Sequence, residues 1–304
     1  MSRQILALAA VVGLFGCHAG GADLGAASFA VYEGGRIAVS ADGNYNDEDD
    51  WHATPLTLAM IAHAGLQSRL VHYDYASILG ENDSRWEREM EDRSLEGARR
   101  YGFDRSVFFN DQDELDDAIE SITRAVNASS ASDPLYLIVA GPMEVAWQGL
   151  DAARDDRERF VTVISHSDWN DDYTHRGTST HTWDDIVRDF DVVADHISDQ
   201  NRTAFRSSLS EWRWLREVDG GDWLYDQMPN PSWVDNTSPP GDASDAGMAF
   251  YLLTGNTRAS MSDIEDFFES SGGGDDSGGD DGSGEGGDCE AAYGDVPGFV
   301  LCGQ

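Results

Sequence analysis

Apolar and polar positions alternate along the chain in blocks that switch between the strand and helix periods. Arg36-Ile-Ala-Val-Ser40 is a short β-rich run, and an acidic loop follows it. Thr54 to Ala64 then carries Leu56, Leu58, Ala59, Ile61 and Ala62 at helical spacing. Leu70-Val-His-Tyr73 predicts the next strand. Asp113 to Val126 predicts a helix with Leu115, Ile119, Ile122 and Val126 on one face and acidic residues in its first turn. Leu135-Tyr-Leu-Ile-Val139 is nearly all apolar, as in a parallel strand covered on both faces. Gly141-Pro142 breaks it, and Met143 to Ala152 predicts another helix. Phe160 to Ile164 and Asp191 to Ala194 predict two further strands. This alternation predicts βαβ units: an α/β fold with a mostly parallel, doubly wound sheet and helices on both faces. Ligands of such sheets bind beyond the carboxyl ends of the strands.

The flanks differ from this block. Arg3 and the apolar run Ile5 to Phe15 have the form of an export signal, too short to span a membrane as a mature helix. The run ends in Leu14-Phe15-Gly16-Cys17, which resembles a bacterial lipobox and would make Cys17 a lipidation site; plain signal-peptidase cleavage is the alternative. Residues 1–17 are thus read as a lipoprotein signal, 18–33 as a tether and 34–270 as the folded domain. Residues 271–288, almost only Gly, Asp, Ser and Glu, cannot bury a core and are read as a linker. Residues 289–304 are read as the start of a small, truncated disulfide module. An exported chain favours pairing of Cys289 with Cys302. The expected location is the outer membrane or cell surface, or otherwise the medium, with membrane contact only through the lipid.

Charge narrows the partners. There are 57 acidic residues against 20 basic ones, for a net charge of -37, and every basic residue is Arg. Such a surface repels phosphate backbones and excludes nucleic acid as a partner. High-salt solubility and a GC-rich genome both account for the bias. The sequence sets no oligomeric state.

Four polar clusters carry the candidate chemistry. Asp42-Gly-Asn44-Tyr-Asn46-Asp47-Glu48-Asp49-Asp50 follows the first strand, and its five carboxylates within nine residues repel one another unless a cation sits among them. A hard cation such as Ca²⁺ takes oxygen ligands of this kind; a solvated acidic loop is the plainer alternative. An EF-hand is excluded, because Asp47 stands where its Gly belongs and Ala53 where its Glu belongs. The second cluster is Ala140-Gly-Pro-Met-Glu144. The third holds His166, Asp168, Trp169 and Asn170, groups that suit sugar hydroxyls and sugar rings, or else an ordinary surface loop with an anchoring Trp. The fourth is Asp242-Ala-Ser-Asp245, which opens an apolar helix and can equally be a simple cap. No Gly-x-Ser-x-Gly elbow of a serine hydrolase is present.

In their order along roughly residues 36 to 255, the four clusters resemble the inosine-uridine nucleoside hydrolase superfamily, especially its divergent carbohydrate-binding branch. The resemblance implies calcium held by Asp42, Asp50 and Asp245 and by the Ala140 carbonyl, with Asp49 as the base acting on metal-bound water. It implies a calcium-dependent hydrolase of a glycosidic bond, N- or O-linked, acting on a nucleoside or glycan. Asn44, Asn46, Glu144, His166, Asp168, Trp169 and Asn170 are the expected substrate contacts. Two departures stand out: Glu144-Val145 replaces the usual Thr-Asn pair, and Ser-His-Ser replaces Met-Gly-Gly after the third strand. The alternatives are a non-catalytic calcium-dependent carbohydrate-binding module and a surface protein that merely holds calcium.

Overall fold

The structure, a computed structural model, describes residues 32–270 except 47, 82, 219 and 235–238. The signal, Cys17, most of the tether, the linker, Cys289 and Cys302 lie outside the described residues.

Six strands form one all-parallel sheet: β1 (Arg36–Ala41), β2 (Leu70–Tyr75), β3 (Phe108–Asn110), β4 (Leu135–Ala140), β5 (Val161–Ser165) and β6 (Val193–His196). Their order is β3-β2-β1-β4-β5-β6. The winding therefore reverses between β1 and β4, which pair in register from Arg36↔Leu135 to Ala41↔Ala140. At such a switch point the loops diverge and leave a crevice at the carboxyl edge.

The helices are α1 (Asp49–His63), α2 (Ser84–Tyr101), α3 (Leu115–Asn127), α4 (Glu144–Asp151), α5 (Asp155–Glu158), α6 (Asp168–Asp172), α7 (Trp183–Asp189), α8 (Gly221–Asp226), α9 (Ala246–Thr254) and α10 (Met261–Glu269). Alternate strand residues face opposite sides of the sheet. Ile37, Val39 and Ile138 pack with α1, α2, α9 and α10, whereas Ala38, Leu137, Val139 and Val163 pack with α3 and α4. Both sheet faces are covered, as the apolar β4 run predicts. Among the described residues no helix is long and apolar enough to cross a membrane.

Two differences from the sequence reading have plain causes. Helix α1 starts at Asp49, five residues before the apolar spacing begins, so the end of the acidic loop is its first turn. There the helix dipole favours the charges of Asp49 and Asp50. Helix α2 is strongly charged, and its buried face includes Arg93, Ser94 and Gly97 as well as Trp86 and Met90, which hides its apolar stripe.

Helix α1 also contains Pro55, which has no N–H to give to the Trp51 carbonyl one turn back. The buried Arg93 of α2 supplies that bond instead, its Nη1 donating to Trp51 O at 3.0 Å. The same guanidinium donates to the carbonyls of Gln227 and Pro229 and pairs with Glu89. Arg93 thus locks α1 against α2 and the 227–229 segment.

Candidate functional site

The site is built where β1 and β4 end. Asp42 follows β1 and is 1% exposed. Its Oδ1 accepts from Gly43 N–H at 2.7 Å, and its backbone N–H donates to the Ala140 carbonyl at 3.2 Å. Gly43 turns the chain with φ +80, where a Cβ would press on Met90 Sδ and Asp50 Cβ. Gly141 approaches from β4, and a Cβ there would meet Ser77 Oγ at 2.8 Å and Asp42 Cβ at 3.1 Å. The two glycines let the loops close over one carboxyl group.

Around Asp42 the charges converge. Burial pushes its carboxyl up to about 7; the Asp50 hydrogen bond opposes the rise, and the charges of Asp245 and Asp49 add to it. Asp49 and Asp50 come from the first turn of α1, and Asp245 is the N-cap of α9. Asp42, Asp49 and Asp50, from one short segment, therefore meet the distant Asp245 at one end of the sheet.

A cavity of about 480 Å³ opens above them. Its buried part carries Asp242, Asp245 and Asn170, beside Asp49. Its mouth is aromatic: Trp169 is 44% exposed and Tyr45 38%, and Tyr173 lies 4.8 Å from Trp169 between ring centroids. Asn46, with φ +50, and Arg206 also form part of the wall.

His166 is buried beneath this wall. Its Nδ1 accepts from Gln200 N–H at 3.2 Å, so its Nε2 carries the proton and donates to Asp245 Oδ1 at 2.6 Å. Burial disfavours the imidazolium, yet the hydrogen bond and charge of Asp245 outweigh it and raise His166 above its ordinary value. Asn170 Nδ2 adds a 3.4 Å contact to the same oxygen. His166 acts as a strut that aims Asp245.

Several expected substrate contacts sit elsewhere. Asn44 is fully buried, and its amide is spent on Ile78 N–H, Ile78 O and Glu81 O, so it clamps the 78–81 segment beside the cavity. Glu144 turns away from the cavity. Its Oε2 accepts from the backbone N–H groups of Thr180 and His181 and meets His181 Nδ1, and its Oε1 accepts from Gln148. Burial alone would raise Glu144; these donors lower it below its ordinary value. Asp168 is exposed at the start of α6 and does not line the cavity. Asn46, Trp169 and Asn170 do line it.

Asp242, Arg206, Tyr173 and Glu81 also line the cavity and were not singled out as contacts. Asp242 had a signal, since it opens the fourth cluster with Asp245. Arg206 had none: it lies in an irregular segment and joins the wall through its ion pair with Asp242, 3.0 Å from Nε to Oδ2, and its bond to Asn201 at 3.2 Å.

Among the described residues no three acidic, His or Cys side chains close into a ready-made metal cluster. The donor set nonetheless suits a hard cation. The Asp42 carboxyl is buried beside the Asp50 carboxyl, and Asp245 and the Ala140 carbonyl add oxygen atoms.

The fold and site define a parallel α/β protein with an acidic, aromatic-rimmed cavity at the switch point of its sheet. The chain belongs to the same family as the uncharacterized protein P22 of Formosa agariphila, with 35% identity over 240 residues covering 75% of this chain and 86% of that protein. No family model matches the chain. Among solved structures it is similar to an inosine-uridine preferring nucleoside hydrolase from Bacillus anthracis, at 14% identity and a TM-score of 0.39, covering 70% of this chain and 80% of the other. That likeness is too distant to carry a functional conclusion.

Proposed function

We propose that this cavity is the active site of a calcium-dependent hydrolase of a glycosidic bond, N- or O-linked. The observation that carries the reading is the meeting of Asp42, Asp49 and Asp50, from the loop after β1 and the start of α1, with the distant Asp245 beneath one aromatic-rimmed cavity. Calcium, held by Asp42, Asp50, Asp245 and the Ala140 carbonyl, would supply the positive charge that buried carboxylates need and a grip on sugar hydroxyls. The chain's own groups do the rest. Asp49 lies at the cavity wall, where it can take the proton of an attacking water. Asn170 hydrogen-bonds within the buried part and can orient a hydroxyl. Trp169 and Tyr45 offer exposed ring faces on which a sugar ring stacks.

The test is a screen of purified protein on nucleosides and aryl glycosides, with calcium and with chelator. Turnover should require calcium, and Asp49→Asn should lower it about 10²- to 10⁴-fold. Absence of turnover on every substrate contradicts the hydrolase. The exposed Trp169 and Tyr45 faces favour a second reading, a calcium-dependent carbohydrate-binding module without turnover. Sugar binding that depends on calcium and on Trp169, with no product formed, would establish it. As an exported lipoprotein anchored at Cys17, the protein would meet nucleosides or glycans outside the cell. Membrane release by Cys17→Ala tests the anchor.

A further inference from the structure

Hydrolysis of a glycosidic bond needs a proton for the departing atom as well as a base for water. Asp49 and Asp242 both line the cavity but come from different elements, the first turn of α1 and the turn before α9. Two links fix them relative to each other. Ser244 donates its Oγ–H to Asp49 Oδ2 at 3.3 Å and its backbone N–H to Asp242 Oδ1 at 3.3 Å. His52, one turn along α1 from Asp49, meets the Asp242 carbonyl through Nδ1 at 2.6 Å, so Nδ1 carries the proton. Burial pushes His52 down to about 4, which keeps it a neutral donor. The carboxyl of Asp242 itself is 1% exposed.

The two oxygens of Asp242 are unequal. Oδ2 accepts from the charged Arg206 Nε at 3.0 Å, whereas Oδ1 meets only neutral donors of Ser244, its backbone N–H at 3.3 Å among them. Oδ1 is thus the oxygen placed to carry a proton, and Arg206 is placed to stabilise the carboxylate once that proton has gone. Burial first, and then the charge of Asp49, push Asp242 up to about 7 against the pull of Arg206. Two carboxyl groups from different elements on the wall of one cavity can supply the acid and the base that hydrolysis of a glycosidic bond uses.

We propose that Asp242 is the proton donor to the leaving group, paired with Asp49 as the base. The assignment rests on the hydrolase reading of this cavity. In the step, the bond from the anomeric carbon to the leaving nitrogen or oxygen breaks, and its electron pair stays on the leaving atom. That atom takes the proton of Asp242 Oδ1. The water oxygen bonds to the anomeric carbon, and a water proton passes to Asp49. Exchange with solvent returns the two carboxyls to their starting states.

The experiment compares 4-nitrophenyl and phenyl β-D-ribofuranoside as probes, with calcium present. Nitrophenolate leaves without a proton, whereas phenolate needs one. Asp242→Asn keeps the size of the side chain and an acceptor for Arg206. It should lose about 100-fold or more on the phenyl substrate and under about fivefold on the nitrophenyl one. Asp49→Asn should lose both. Arg206→Met, at a half-exposed side chain, should follow the Asp242→Asn pattern more weakly. Equal losses on the two substrates in Asp242→Asn, at an unchanged melting temperature, would overturn the proton-donor role and leave the hydrolase standing. If Asp242→Asn melts early, Arg206→Met decides: equal losses there overturn the role as well. A wild-type protein that cleaves neither probe nor any nucleoside overturns both.

Discussion

Replacing Arg93 by Met keeps the alkyl stem and removes the guanidinium. The wild-type head group satisfies the buried Trp51 carbonyl, the carbonyls of Gln227 and Pro229, and Glu89. A buried acceptor left without a partner costs about 1–3 kcal/mol. The carbonyls of Trp51 and Gln227 lose the two closer of the three bonds. Burial already opposes the charge of Arg93, and removing it returns part of that cost. The net loss should be about 3 kcal/mol, or roughly 6–12 °C in melting temperature for a domain of this size. The control is Arg99→Met, whose solvent-exposed pair with Glu96 should leave the melt almost unmoved. The sharper test is a cycle with Pro55→Ala. The substituted alanine has the N–H that Pro55 lacks and can satisfy the Trp51 carbonyl itself. Arg93→Met should therefore cost roughly 1 kcal/mol less in the Pro55→Ala background. Urea melts of the four proteins give the coupling. Equal costs in both backgrounds would refute the claim that Arg93 repairs the proline gap.

Two further predictions concern groups away from the cavity. Asp111 is buried against Asp74, and burial, then the Asp74 charge, hold its carboxyl well above its ordinary value. The folded state therefore keeps a proton that the unfolded chain releases near pH 4, and stability is lost as pH rises toward the folded value. Asp111→Asn, which keeps a donor for Asp74, should match the wild type near pH 4 and be more stable at pH 8; urea melts showing the reverse order at pH 8 would sink this. Glu144→Ala should cost about 2–3 kcal/mol and loosen amide exchange at Thr180 and His181, whose N–H groups it binds. A loss of ligand binding with an unchanged melt would instead return Glu144 to the substrate-contact role.

Much of the fold was legible because burial on both faces leaves a mark: the run Leu135 to Val139 reads as a strand of a parallel sheet covered on both sides. Helix α2 was not, because its buried face includes Arg93, whose partners are backbone carbonyls from distant segments. The carboxylates of the site were legible as an ordered set along the chain, since each stands just after a strand or at the start of a helix. The roles of individual polar residues were less so. Asn44 and Glu144 have the chemistry of ligand contacts, but which way a side chain turns depends on loops packed from elsewhere: the 78–81 segment captures one and the 180–181 backbone captures the other. Arg206 joins the wall through a contact with Asp242 that no local pattern announces.

The central claim is that the converging carboxylates hold calcium for work on a glycosidic bond. Its most direct test is the thermal melt of the full chain with chelator and with calcium, for the wild type, Asp50→Ala and Asp245→Ala. At a hundredfold excess over its dissociation constant, calcium should stabilise the wild type by about 2.7 kcal/mol and leave both variants unmoved. A wild-type melt indifferent to calcium at every concentration, with any turnover equally indifferent to chelator, would contradict the account.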